Sequence, residues 1–483
     1  MSGLSVYDSA DVLVIGGGFA GVCAALAAAR AGASVMLTEK SADLGGQAAE
    51  IHTWGLDGFI SSTGKQLIKG IPWEILQKTV AEGGSDRLWS VIDMELLERE
   101  GIAAALKAVG YTDLVPYAGA TSMFNPFNDN YIKPGAYRYV CHTLLAEAGV
   151  RLYLDSPVVD TWKEDTTVKG VEIATPFGRR LLEAKRIVDT SQNAVVCTYA
   201  GEAFAAPGVY MGSHIKCAGV DINRMIGYIR ETQEDWRIRP MAERTADPDE
   251  IQRMADAGCT LFIHGFATAL RKAAEENERY AFLLKDLPLM FLYEHNGIAS
   301  PFVSGNGACV DVSNTAEYSA MVSKMRRKQW LYYTFFRDYI PGCENMILMD
   351  TCPYIPKAHH DSEEPSNLTS RHVTMEEVSS GQLNDGKGIV VLRGHPGSCQ
   401  DEIGWKLPLE AMIAKNLENL LITGKPASSK IHYIATCAAV GQAAGASAAL
   451  SAIKDIPLRQ MDEDVIRAEL ASARQNYAWK TCG

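Results

Sequence analysis

DVLVIGGGFAGVCAALAAARAGASVMLTE, residues 11–39, decides the fold. Val12 to Ile15 is a short apolar run that reads as a buried strand. Gly16, Gly18 and Gly21 follow in G-x-G-x-x-G spacing, then a helix of small residues, then a second strand, Ser34 to Thr38, closed by Glu39. Each part suits a dinucleotide. Gly16 permits the tight strand-to-helix turn, Gly18 lets the backbone approach a pyrophosphate, and Gly21 lets the helix pack closely on the strand. The helix start, near Phe19 and Ala20, offers free N–H groups and a positive dipole end to the diphosphate. An acid about 20 residues on is placed to bind ribose hydroxyls.

Working outward, 483 residues allow two or three domains, and 47% hydrophobic with 22% charged residues is a globular balance that can fill a large core. A net charge of −12 with no long Lys/Arg block excludes nucleic acid and anionic membrane as expected partners. The short basic cluster Lys324 to Lys328 reads as a solvated helix face. With the first strand beginning almost at once, no signal peptide is expected, and no run of about 18 apolar residues is present in the sequence. Eleven cysteines lack any C-x-x-C pair, which argues against an iron–sulfur cluster and a dithiol centre. Reduced thiols and a cytoplasmic location are the expectation.

Further along, 44–64 is a glycine-rich loop, 65–132 mostly helical, and 136–149 a helix. VRLYLDSPVVDTW, VKGVEIATPFG and RRLLEAKRIVDTS read as three consecutive strands. Residues 205–350 read as mostly helical and 353–388 as a long loop. ENLLITG, ending a strand at Ile422, and TCAAVGQAAGASAALS form a second strand-glycine-helix unit near the C-terminus. A sheet that uses both units must be interrupted by everything between. The fold class is therefore α/β, with one Rossmann-like domain and large insertions. Residues 1–60, 136–204 and 381–460 are assigned to it, 61–135 and 205–380 to an α+β substrate or cap domain, and 461–483 to a C-terminal tail.

The glycine fingerprint alone does not separate NAD from FAD. The fingerprint followed by LGGQA (44–48), AKRIVDTSQNA (184–194), QWLYYTFFRDYIPGCENMIL (329–348) and the 418–450 block together resemble the FAD-dependent oxidoreductases among the glutathione-reductase-type (GR2-like) flavoproteins. The resemblance implies FAD and no metal. It implies that the diphosphate lies on the first turn, and that the loop after Glu39 contacts adenosine and flavin. Lys40, Gly45, Gly46, Gln47, Val158, Thr190, Gly424, Cys437 and Val440 complete the implied FAD-binding set. The last helix would aim its N-terminus at the pyrimidine side of the flavin, with Gly441 and Gly445 allowing close packing. The chain departs from the family's pattern at Thr190-Ser191-Gln192, where the family has Ala-Thr-Gly, and at Lys425, where it has arginine.

Flavin does the redox chemistry, and the protein must orient substrate and move a proton. His432 and Tyr433, just before the flavin-side helix, are the first candidates. His395 follows, with Arg393 as an anion or carbonyl clamp. His52 is a further histidine near the flavin loop. The His359-His360 pair lacks partners at ligand spacing and reads as solvated. The expected activity is hydride transfer between flavin and a small organic substrate, by CH–OH or CH–NH dehydrogenation or the reverse. An enoate-type C=C reductase and a non-catalytic flavin-bearing redox sensor are the alternatives. An unidentified electron donor or acceptor is implied, and the choice between monomer and homo-oligomer is left open.

Overall fold

The computed structural model describes residues 4–50, 55–56, 58–61, 65–85, 92–110, 130–202, 209–232, 247–256, 258, 261–303, 309–311, 313–352, 355, 357–359, 367–383, 388–392, 404–428, 431 and 433–476. The elements that position the site are, in chain order, β1 (Val6–Ile15), α1 (Phe19–Arg30), β2 (Val35–Thr38), α2 (Ile71–Ala81), α3 (Pro134–Glu147), β3 (Arg151–Tyr153), β4 (Val158–Glu164), β5 (Thr167–Thr175) and β6 (Gly178–Asp189). After these come β7 (Ser213–His214), β8 (Lys216–Ala218), β9 (Leu261–His264), β10 (Phe291–His295), β11 (Ile298–Val303), α4 (Thr315–Tyr339), β12 (Ile347–Asp350), β13 (Leu420–Ile422), α5 (Ile434–Lys454) and α6 (Glu463–Asn476).

The first sheet has seven strands, with β3, β2, β1, β6 and β13 running parallel. Ile15 pairs with Asp189, and Ile422 pairs with the same Asp189 from the other side. The two strand-glycine-helix units, some 400 residues apart in sequence, therefore meet at the C-terminal end of one sheet, where ligands bind in such folds. The second half of β1, Val12 to Ile15, and β2 are buried on both faces, as their mainly apolar sequence requires. Antiparallel β4 and β5 extend the first half of β6 as a meander. The segment VRLYLDSPVVDTW is two strands, not one. Asp155, at φ +50°, turns the chain between them, so β3 joins the parallel edge and β4 the meander.

α1 and α5 lie against each other because glycine removes the side chains between them. A Cβ at Gly441 would stand 2.1 Å from the Ala20 carbonyl oxygen, and one at Gly445 2.0 Å from that of Ala24. The contact advances four residues on both helices together, so they run parallel. With 1.5 Å rise per residue, α5 starts roughly 9 Å beyond the start of α1. α5 is apolar enough to cross a membrane, with a mean hydropathy of 1.3, but 83% of that run is buried in the protein. Its composition is that of a core helix.

Residues 205–350 contain a second, antiparallel sheet of order β9-β10-β11-β8-β12, with β7 beside β11, where mostly helix was expected. Asn296-Gly297, at φ +51° and +80°, makes the β10–β11 hairpin. An Asn-Gly pair between alternating apolar residues is a strong hairpin signal, and that signal was present in YEHNGIASPF. α4 covers one face of this sheet, Gln329 Nε2 donating to Ser213 Oγ at 3.0 Å. Lys328 departs from the expected solvated face: it is 2% exposed and pairs with Asp286 at 2.7 Å, which also accepts from Tyr332 at 2.8 Å. The segment expected as a tail forms α6 and buries Ile466 and Leu470.

Candidate functional site

The glycine turn is fixed by contacts too close for any side chain. A Cβ at Gly21 would lie 1.7 Å from the Gly16 carbonyl oxygen. One at Gly17 would lie 2.7 Å from Leu44 Cδ2, and Gly16 sits at φ +101°. Gly18 is different. A Cβ there meets nothing nearer than Gly46 Cα at 3.9 Å. The protein's own packing does not demand glycine at 18, and the space above it is where a pyrophosphate needs access. Gly17, absent from the sequence-derived set, is crowded where Gly18 is not, with Leu44 and Glu39 against it. Its role follows from Leu44 and Glu39, which come near only in the fold.

Glu39 is buried at the end of β2 and faces this turn. Its Oε2 accepts from Gly17 N–H at 2.5 Å and its Oε1 from Ser41 N–H at 2.8 Å. The backbone of Glu39 is held on both sides, by the Tyr153 carbonyl and the Ser156 N–H. Thr190 explains how the chain tolerates a residue other than the family's at that place. Its hydroxyl lies 2.8 Å from the Ile15 carbonyl oxygen, to which it donates, and 3.1 Å from that of Gly16. It occupies room that only glycine at 16 and 21 leaves open. Asp189 next to it is fully buried; its Oδ1 accepts from Ser191 N–H and its Oδ2 from Val196 N–H, each at 2.9 Å. Burial lifts its carboxyl to about 6 against these hydrogen bonds.

The LGG loop folds back onto the turn. Gly45 N–H donates to the Gly17 carbonyl at 3.0 Å, and Gly45 and Gly46 have φ of +127° and +47°. Arg138 and His142, four residues apart on α3, hold the loop from below. His142 Nε2 lies 2.8 Å from Asp43 Oδ1, and Arg138 Nε donates to the Leu44 carbonyl at 3.2 Å. Burial works against the Asp43 carboxylate, but His142, the Leu44 N–H and Arg138 carry it below its usual range. Gln47 and Lys40 are exposed, and Val158 is buried at the start of β4. Neither Arg138 nor His142 carried a motif that could have marked it.

At the other end, Tyr433 precedes α5 with no side-chain cap on the helix. Gly58 lies against its ring, since a Cβ there would be 2.8 Å from Tyr433 Cβ. Cys437 is half-buried and Val440 fully buried in the first turns. Two side chains point to a missing neighbour. Thr436, in the first turn of α5, and Thr423, just after β13, are buried, and their hydroxyl oxygens have no hydrogen-bond partner. Buried polar groups in native proteins are almost always satisfied. Gly424 follows at φ +67° and its carbonyl accepts from Ala427 and Ser428. His432, His395 and Arg393 lie outside the described residues, as does His52. The described cysteines are free; burial pushes the thiols of Cys141 and Cys217 to about 12 and Cys352 to about 11, as inert core residues.

The parts present fit FAD. Two uncapped helix starts point the same way, offset by roughly 9 Å, with an open glycine at one and an unsatisfied buried hydroxyl at the other. This defines a flavoprotein with a Rossmann-like FAD-binding sheet. The chain belongs to the FAD-dependent oxidoreductase family, whose model matches residues 11–356 and 393–470. Among curated proteins no relative matches. Solved structures similar to it include a geranylgeranyl bacteriochlorophyll reductase-like protein from Thermoplasma acidophilum, at 14% identity over 97% of this chain and 84% of that one, with a TM-score of 0.44. GidA from Aquifex aeolicus is 15% identical over 93% and 64%, with a TM-score of 0.46. L-Proline dehydrogenase from P. horikoshii is 14% identical over 91% and 92%, with a TM-score of 0.39. The family assignment rests on the sequence match and not on these distant likenesses.

Proposed function

We propose that this FAD-dependent oxidoreductase dehydrogenates a CH–OH or CH–NH group of a small organic substrate, or runs the reverse reduction. FAD, when bound, supplies hydride transfer at N5. The observation that carries the reading is the start of α5: an uncapped N-terminus with the buried, unsatisfied Thr436 hydroxyl. N–H groups there would stabilise negative charge developing on the cofactor's N1/C2=O side. Gly16, Gly18 and Gly21 would seat the diphosphate, Glu39 the adenosine ribose, and the Gly45-Gly46 loop would close over them.

The proton is assigned first to His432, which precedes Tyr433 at this helix start, and next to His395, with Arg393 as the clamp. Both histidines have side chains of near-neutral intrinsic pKa. The test is anaerobic. The purified protein is mixed with 2-hydroxy acids, amines and amino acids in turn, and bleaching of the flavin band is followed. One class should bleach it, and His432→Ala should slow that bleaching while leaving FAD bound. Unchanged kinetics in His432→Ala would move the proton role elsewhere. Reoxidation of chemically reduced protein by an enone, with no bleaching by any reductant class, would instead establish the enoate-type alternative.

A further inference from the structure

The loop that returns onto the glycine turn is itself tied down, by residues outside the turn. Its glycines face the open position. A Cβ at Gly46 would lie 3.1 Å from Gly18 Cα, and Gly18 and Gly45 are joined by a parallel bridge. Leu44, fully buried, presses on Gly17 from the same loop. The loop is therefore one wall of the space above Gly18. Gly45 and Gly46, both at positive φ, form that wall, and glycine leaves a backbone freer than any other residue does.

The stiffness comes from Asp43 and α3. Arg138 and His142 stand one helical turn apart and so share a face of α3. Asp43 Oδ1 lies 2.8 Å from His142 Nε2 and accepts from the Leu44 N–H at 2.7 Å, while Oδ2 forms an ion pair with Arg138 Nε at 3.4 Å. Arg138 also reaches the loop backbone. Its Nε donates to the Leu44 carbonyl at 3.2 Å and its Nη2 to that of Ala49 at 3.5 Å. These contacts span the loop from 43 to 49. The residue before Arg138, Tyr137, is fully buried and meets Phe19 edge to face, with ring centroids 5.7 Å apart. Phe19 is the first residue of α1. One helix thus braces both sides of the space above Gly18, the turn's helix through Tyr137 and the loop through Arg138 and His142.

The Asp43 and His142 side chains are 44% and 39% exposed, and ion pairs so exposed add little to global stability. Their effect is local, because a loop held by few bonds opens and closes without unfolding the sheet beneath it. Opening of such a loop sets how fast a ligand leaves. We propose that Asp43, Arg138 and His142 are positioning residues for FAD, holding the 43–49 loop closed over the diphosphate and setting how long the cofactor stays bound. The proposal rests on the reading that the diphosphate lies above Gly18, and it assigns retention to residues that act through the loop.

Release of FAD from the purified holoprotein tests it. The protein is diluted, free flavin is followed through an ultrafiltration membrane, and the spectrum of the retained flavin is recorded alongside. Asp43→Ala should speed release by about threefold to tenfold, as suits an exposed charge with two partners. His142→Leu should act in the same direction. His142→Gln, whose amide still donates to Asp43, should stay within about twofold of the wild type. Lys169→Ala, which breaks an exposed ion pair with Glu164 on the meander, should leave release unchanged. Flavin still bound to Asp43→Ala should keep the wild-type spectrum, since the clamp acts at the diphosphate and not at α5. Amide hydrogen exchange on the same holoproteins should quicken at 44–49 and stay unchanged along Val12 to Ile15. Wild-type release from both Asp43→Ala and His142→Leu would overturn the proposal, and so would exchange that quickens along Val12 to Ile15 as well, the mark of a merely structural pair. The two readings fail separately. A Gly18→Val protein that keeps its FAD loses the seat above the turn. A Gly18→Val protein without FAD, beside an Asp43→Ala that releases FAD at the wild-type rate, loses the clamp alone.

Discussion

At the glycine turn, one added methyl group at position 21 would put a carbon 1.7 Å from a carbonyl oxygen. Across the second sheet, His214 and Phe302 stand 5.2 Å apart, ring against ring. The turn binds a cofactor that never changes, and backbone alone shapes it. The sheet face that holds these rings is made of side chains from strands far apart in sequence, His214, Tyr293 and Phe302 among them. The first region is stabilised by its own rigidity. The second is held by side chains that meet only in the fold.

That contrast can be broken in order of size. Gly21→Ala should cost about 4 kcal/mol or more and show as a collapsed melting temperature or as insoluble protein; a normal melt would refute the turn geometry. Lys328→Met, on the covered side of the second region, strips the buried Asp286 of its partner and should cost about 3–4 kcal/mol in chemical denaturation. A neutral result there would contradict the role given to the buried Lys328–Asp286 pair.

Glu294, on the covered side of β10, gives a smaller effect with a pH signature. It is 2% exposed, burial lifts its carboxyl to about 7, and Oε1 accepts from Gly297 N–H at 2.7 Å. A carboxyl raised in the folded state ionises later there than in the unfolded chain. Stability is therefore unaffected below the unfolded value of 4.5 and falls as pH rises from there to about 7. Glu294→Gln keeps the acceptor and removes the charge. It should match the wild type at pH 4 and exceed it by about 1–3 kcal/mol above pH 7. Parallel pH–stability curves for the two proteins would contradict this.

The same contrast governs what could be read in advance. Gly16, Gly18, Gly21 and Glu39 were legible because their spacing is set within one β-α-β unit. Ile422 and the helix after it were legible because a second such unit must share the sheet. Thr190 stood out as a departure, but its accommodation was hidden, because the hydroxyl's partners are carbonyls at 15 and 16. Gly17, Arg138 and His142 were missed, since what makes them matter is the return of the 43–49 loop onto the turn. The second sheet was mistaken for helix because its strands are two to six residues long and broken by polar residues. The Asn296-Gly297 pair was the one local signal that could have corrected this. Lys216 belongs to no motif. Its cross-strand neighbour is Asp350, and only the fold brings the two together.

The account's central claim is that position 18 is glycine for the cofactor and not for the fold. The most direct measurement is the FAD-to-protein ratio of purified Gly18→Val beside the wild type, with circular dichroism on both. The wild type should carry one FAD per chain. Gly18→Val should keep the wild-type far-ultraviolet spectrum and lose the flavin, because its side chain fills the space above the turn. A folded Gly18→Val that retains a full complement of FAD would contradict the claim.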